Sequence, residues 1–120
     1  MANQNAKGLK RIVNAFFFSL AGFKATWSHE EAFRQEVLLL IATAPLAVWL
    51  GETPIEKLLL IGSIVLVLVV ELLNSAVEAV VDRVGFEHHE LSGRAKDIGS
   101  AAVMLSLLWA AATWTLIIFF

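Results

Sequence analysis

From Ile98 to Phe120 the chain carries no charged residue, and a run of that length crosses a hydrocarbon core of about 30 Å, which needs roughly 20 residues. Two further runs share this character. Val37 to Leu50 is uncharged, and it reaches spanning length as Ala32 to Leu50 if Arg34, Gln35 and Glu36 sit at the interface or face protein. Between Ile55 and Val70 the only charges are the neighbouring Glu56 and Lys57. A chain of 120 residues that is 58% hydrophobic belongs with integral membrane proteins and has room for a single domain. There is no basic patch for a nucleic acid, and without cysteine there are no disulfides or thiolate metal sites. Met1 to Gly8 is polar and lacks the pattern of a cleavable signal, so the N-terminus is expected to stay.

Local signals divide the chain. Leu9, Ile12, Val13, Phe16, Leu20, Phe23 and Trp27 recur at helical spacing, with Lys7, Lys10, Arg11, Asn14 and Lys24 largely elsewhere around the wheel. That pattern predicts an amphipathic helix lying on the membrane surface over about 8–28. Three membrane helices are then expected over about 30–50, 54–84 and 91–119, giving an all-α fold within one domain of residues 1–120. Pro45 is expected to kink the first span. Thr53-Pro54-Ile55-Glu56 has the form of a capping box that starts the second span, and Gly85 suits its end. Gly99, Ala102, Ser106, Ala110 and Thr113 make a small-residue face for close packing on the third. The four tryptophans read as belt residues at the interfaces, apart from Trp27 on the surface helix. Basic residues cluster before the first span and around the second loop. The positive-inside rule therefore places the N-terminus and that loop in the cytoplasm, and the C-terminus on the far, periplasmic side.

The second span ends in a stripe. Relative to Glu71, residues Asn74, Ser75, Glu78 and Asp82 fall at roughly 60°, 40°, 20° and 20° around a helix, so all the polar groups share one face. Ionisable groups at membrane depth cost at least a few kcal/mol each, which makes such a stripe a site. A helix from Pro54 to Val84 is roughly 46 Å long, longer than the core it crosses, so the stripe climbs from lipid into cytosol. These carboxylates supply a general base and hard oxygen ligands for Mg²⁺, which Glu30 from the first junction would complete. Lys96 and Asp97 are read as opening the next helix, whose N-terminus beside Arg94 and Lys96 suits phosphates. Moving a phosphoryl group onto a lipid hydroxyl needs these parts, but a proton or cation relay in a small oligomeric transporter would use the carboxylates nearly as well. Transporters bind near the midplane, whereas this stripe ends on one surface. The pair His88-His89 lacks a third ligand at metal spacing and reads as structural or as a neighbour of the nucleotide.

The block Glu71-x-x-Asn74-x-x-x-Glu78-x-x-x-Asp82, the stretch His89 to Val103 containing Ala95-Lys96-Asp97, and Ala32-Phe33-Arg34-Gln35-Glu36 closely resemble the bacterial membrane diacylglycerol kinases of Gram-negative type. The likeness covers essentially the whole chain. It implies a homotrimer in the bacterial inner membrane that phosphorylates diacylglycerol with ATP and Mg²⁺ at sites shared between subunits, as part of phospholipid metabolism. Carried over, it makes Glu71 the catalytic base and Glu30 and Glu78 the metal carboxylates. Arg11, Glu30, Asn74, Glu78, Glu87, Lys96, Asp97 and Ser100 become substrate- or nucleotide-binding residues, with Lys96 on the phosphates. Arg34, Glu36 and Asp82 match polar positions of less certain role. A polyprenol in place of diacylglycerol is the alternative acceptor.

Overall fold

A computed structural model describes residues 7–85, 87 and 89–120, which fold into four helices: α1 (Gly8–His29), α2 (Glu31–Leu50), α3 (Pro54–Val84) and α4 (Glu90–Phe119). The last three are each long and apolar enough to cross a membrane. The described residues fall into two compact units, one ending at Glu31 and the other beginning at Ala32.

In the N-terminal unit, none of the residues of α1 is buried. Its hydroxyls are turned inward onto the helix: Ser19, Thr26 and Ser28 donate to carbonyls one turn back at 2.8–2.9 Å. Leu9, Ile12, Phe16, Phe23 and Trp27 are all exposed within the unit.

The second unit begins with α2, which runs through Pro45 as one helix from Glu31 to Leu50. Gly51 closes it by donating its N–H to Ala47 O at 2.9 Å. A Cβ there would lie 2.6 Å from Lys57 Cγ and 2.9 Å from the Ala47 carbonyl oxygen, so only glycine fits the turn. α3 starts at the expected cap. Thr53 Oγ1 accepts from Glu56 N–H at 3.1 Å, but the returning half of the box is displaced by one residue, because the Glu56 carboxylate accepts from Glu52 N–H at 3.3 Å rather than from Thr53. At the other end Gly85 donates to Val81 O at 3.4 Å with φ 170°, an extended conformation open to any residue.

α3 and α4 form the main pair and run antiparallel. Leu60, Ser63, Ile64, Val67 and Glu71 are the buried residues of α3, a spacing of three and four that makes one stripe. On α4 the buried residues are Ser106, Ala110 and Thr113, with Gly99 and Val103 half-buried in line with them and Ala102 exposed. The small-residue face is therefore used, but its track passes through Val103 instead of Ala102, because α4 keeps a spacing of alternately four and three residues against its partner. Ile64, Val67 and Ala110 form the core, with Leu40 of α2 and Trp114 packed on it. Trp114 Nε1 donates to Leu60 O at 3.1 Å, which ties the far end of α4 to the near end of α3.

That indole bond fixes the register of α3 against α4. Trp114→Phe keeps the ring and removes only the donor, so unfolding by denaturing detergent in mixed micelles should show a loss of about 1 kcal/mol. A variant as stable as the parent would show that register rests on apolar packing alone.

Candidate active site

The buried stripe of α3 does not stop at its apolar core. Beyond Val67 it continues through Glu71 and the half-buried Asn74, Ser75, Glu78 and Asp82, so the face that packs against α4 changes from hydrocarbon to polar groups along a single helix. Glu71 is only 5% exposed. A carboxylate withdrawn that far needs donors. Asn74, three residues on, supplies one: its Nδ2 donates to Glu71 Oε2 at 3.4 Å and to Glu78 Oε1 at 2.8 Å. The amide thus lies between two carboxylates a full two turns apart and holds both. Its own Oδ1 is buried with no hydrogen-bond partner among the described residues.

α2 adds another carboxyl. Glu36 is 9% exposed, its Oε2 lacks a hydrogen-bond partner among the described residues, and it feels the charge of Glu71 across the helix pair. From the sequence it stood between an interfacial anchor and a site residue. Burial decides for the interior, and the signal was already there in a glutamate directly preceding an uncharged run.

Cationic charge comes from α4. Lys96 Nζ pairs with Asp82 Oδ1 at 2.8 Å, both side chains about half exposed at 46% and 47%, and the ammonium also feels Glu78. Lys96 does not stand at a helix N-terminus, however. α4 begins at Glu90, where His89 is the cap and its Nδ1 accepts from Leu91 N–H at 3.0 Å, so Lys96 and Asp97 lie beyond the first turn. The expected helix over about 91–119 starts within one residue of the observed one, so what fails is only the placing of Lys96 and Asp97 at its opening, a histidine being an uncommon cap to mark the true start. His89 thus caps α4, and its neighbour His88 lies outside the described residues. Arg94 pairs along its own helix with Glu90 at 3.5 Å.

Between the end of α3 and the start of α4 is a cleft of about 200 Å³ lined by Val81, Asp82, Gly85, Glu87, His89, Ser92, Gly93 and Lys96. Of the expected site residues, Glu71, Asn74 and Glu78 come together on α3, and Lys96 and Glu87 share the cleft at its end. Asp97 and Ser100 are exposed on α4. Arg11 and Glu30 belong to the N-terminal unit. Among the described residues no three of His, Asp and Glu converge to hold a metal ion. Mg²⁺ seldom requires that, because it is usually held by one or two carboxylates with phosphates and water completing the shell. Glu78, a half-buried carboxylate with one oxygen fixed by Asn74, fits such a role.

A family model described as prokaryotic diacylglycerol kinase matches residues 17–118. A protein named diacylglycerol kinase from Escherichia coli (strain K12) is 50% identical over 118 residues, 98% of this chain and 96% of that protein. Proteins of the same name from Haemophilus influenzae and Pseudomonas aeruginosa are each 51% identical. The first spans 94% of this chain and 96% of its own length, the second 92% and 90%.

An ion pair as exposed as Lys96–Asp82 contributes about 0–1 kcal/mol. Both Lys96→Met and Asp82→Asn should therefore unfold within about 1 kcal/mol of the parent. A much larger loss would make the pair a structural strut, so that any effect of Lys96 on activity would first have to be read as misfolding.

Proposed function

This chain belongs to the prokaryotic diacylglycerol kinase family, and we propose that it transfers the γ-phosphoryl group of ATP to the hydroxyl of a diacylglycerol, giving phosphatidic acid and ADP for phospholipid metabolism. The observation that carries this reading is the Asn74 bridge. It presents one deeply buried carboxylate and one half-buried carboxylate on a single face, with the Lys96 ammonium beside them.

Each group has a distinct task. Glu71 is the general base, and its depth suits a lipid hydroxyl that stays near the top of the acyl chains. The proton of that hydroxyl goes to the Glu71 carboxylate as the hydroxyl oxygen bonds to the γ-phosphorus. The bond from that phosphorus to the bridging oxygen breaks, and ADP leaves with the electron pair. Asn74 orients the base by donating to it. Lys96 offsets negative charge on the phosphoryl oxygens, and the cleft with Glu87 at the end of α3 receives the nucleotide. Glu78 and Glu30 are the carboxylates that would hold Mg²⁺, and the ion would supply positive charge to offset that of the ATP phosphates. Arg11, Asp97 and Ser100 complete the binding of nucleotide and lipid.

The assembly follows from what one chain leaves undone. Glu36, Ser75 and Thr113 each carry a buried oxygen with no hydrogen-bond partner among the described residues, and three spanning helices cannot shield such groups from lipid on every side. Three copies around a common axis would enclose them, with sites shared between neighbours. The bundle is placed in the bacterial inner membrane with its N-terminus and second loop cytoplasmic and its C-terminus periplasmic, as the basic residues direct. α1 lies on the cytoplasmic surface with its apolar residues in the lipid.

Glu71→Gln keeps the shape of the base and removes its basicity. In mixed micelles it should lose turnover by roughly 10²- to 10⁴-fold while binding Mg-ATP nearly normally. Near-normal turnover would end the assignment. The same assay with a polyprenol as acceptor should give far slower phosphorylation than with diacylglycerol, and equal rates would broaden the substrate class. Glu78→Gln and Glu30→Gln should each raise the Mg-ATP concentration needed for half-maximal rate. An unchanged requirement would remove that residue from the metal shell.

A further inference from the structure

Among the helical glycines of the second unit, Gly99 stands apart. A Cβ built on Gly62 or Gly93 meets nothing within 4 Å, whereas a Cβ on Gly99 would fall on Asn74 Oδ1, well inside any real carbon contact, and 3.2 Å from Asn74 Cγ. The atom it would strike is not a free end. Asn74 is a short side chain with its amide nitrogen committed to Glu71 and Glu78, and its Oδ1 is buried with no hydrogen-bond partner among the described residues. Turning the oxygen away from Gly99 means turning the nitrogen away from at least one carboxylate, because both belong to one rigid planar group.

We propose that Gly99 is a positioning residue for phosphoryl transfer: the space left by its missing side chain is the seat of the Asn74 carbonyl oxygen, and that seat holds the Asn74 amide between Glu71 and Glu78. This rests on the reading of Glu71 as base and Glu78 as metal carboxylate. Neither helix alone specifies the geometry. α3 brings the three polar side chains to one face, and α4 selects the rotamer of the middle one by what it lacks. Small residues along α4 serve close packing at Ser106 and Ala110, but at Gly99 the neighbour is a functional side chain instead of an apolar one.

The test is a cycle of Gly99→Ala and Asn74→Ala, with Gly62→Ala as control, measured for kcat, Mg-ATP KM and thermal stability of the assembled protein in micelles. Gly99→Ala should lower kcat by about 10- to 100-fold, as expected of sub-ångström to ångström misplacement of a catalytic group. Its melting should stay near that of Gly62→Ala. Added to Asn74→Ala, the same substitution should cost nothing further, since the side chain it displaces is gone. The side-chain amide resonance of Asn74 should move in Gly99→Ala and stay in place in Gly62→Ala, a readout that a merely structural role would not move. If Gly99→Ala fails to assemble, Asn74→Ser should restore assembly by vacating the contact, and failure to restore it overturns the proposal. So does full activity in Gly99→Ala, an equal loss in both backgrounds, or an unmoved Asn74 resonance. Full activity in Asn74→Ala would remove Asn74 from the chemistry and overturn the catalytic reading as well. That result is told apart from failure of the Gly99 proposal alone, in which Asn74→Ala is impaired and the two substitutions are simply additive.

Discussion

A carboxyl group withdrawn from water must be given hydrogen-bond donors, and that demand organises this molecule. Glu71 is buried on the face of α3 that α4 covers, and Asn74 supplies it a donor from one turn away. Because the same amide also holds Glu78, the two carboxylates are not independent. Whatever moves Asn74 moves both. The pairing of α3 with α4 therefore shapes this polar cluster as much as the fold, since it encloses Glu71 and seats the Asn74 oxygen against Gly99.

The two halves of the α3 stripe divide the labour. Leu60, Ile64 and Val67 bury apolar surface against Ala110 and Trp114, and the bond from Trp114 to Leu60 fixes how far α4 is slid along α3. That sliding position sets which residue of α4 faces Asn74. A displacement of one residue along α4 would present Ile98 or Ser100 in place of Gly99, neither of which leaves room. The apolar half thus sets the register in which the polar half meets α4.

Much of this could be read from residues alone, and the reasons differ by element. α3 was legible at both ends and along its face, because Thr53, Pro54 and Gly85 mark its limits and the polar residues from Glu71 to Asp82 keep helical spacing. The start of α4 was legible to within one residue, at about 91 against Glu90, but Lys96 and Asp97 were set at its opening although they lie beyond the first turn behind the His89 cap. Ala102 was assigned to the packed face on size. Size cannot say which of two adjacent small or apolar residues lies in the groove, and the structure chose Val103. Gly99 was seen only as one small residue among several. Its role depends on a side chain of another helix at a matched height, which no pattern within one helix can reveal.

The helix pair is welded at one end and latched at the other. Toward Leu60 and Trp114 it is held by interlocked apolar side chains and a half-buried indole bond. Toward the α3–α4 loop it is held by a half-exposed ion pair and a terminal helix bond stretched to 3.4 Å. Opening from the latch costs little, while opening from the weld costs much of the fold, so local fluctuations propagate in one direction only. A hydrophilic molecule can then enter and leave at the loop end by loosening a few residues, while the hydrocarbon-facing half of the bundle keeps its seal.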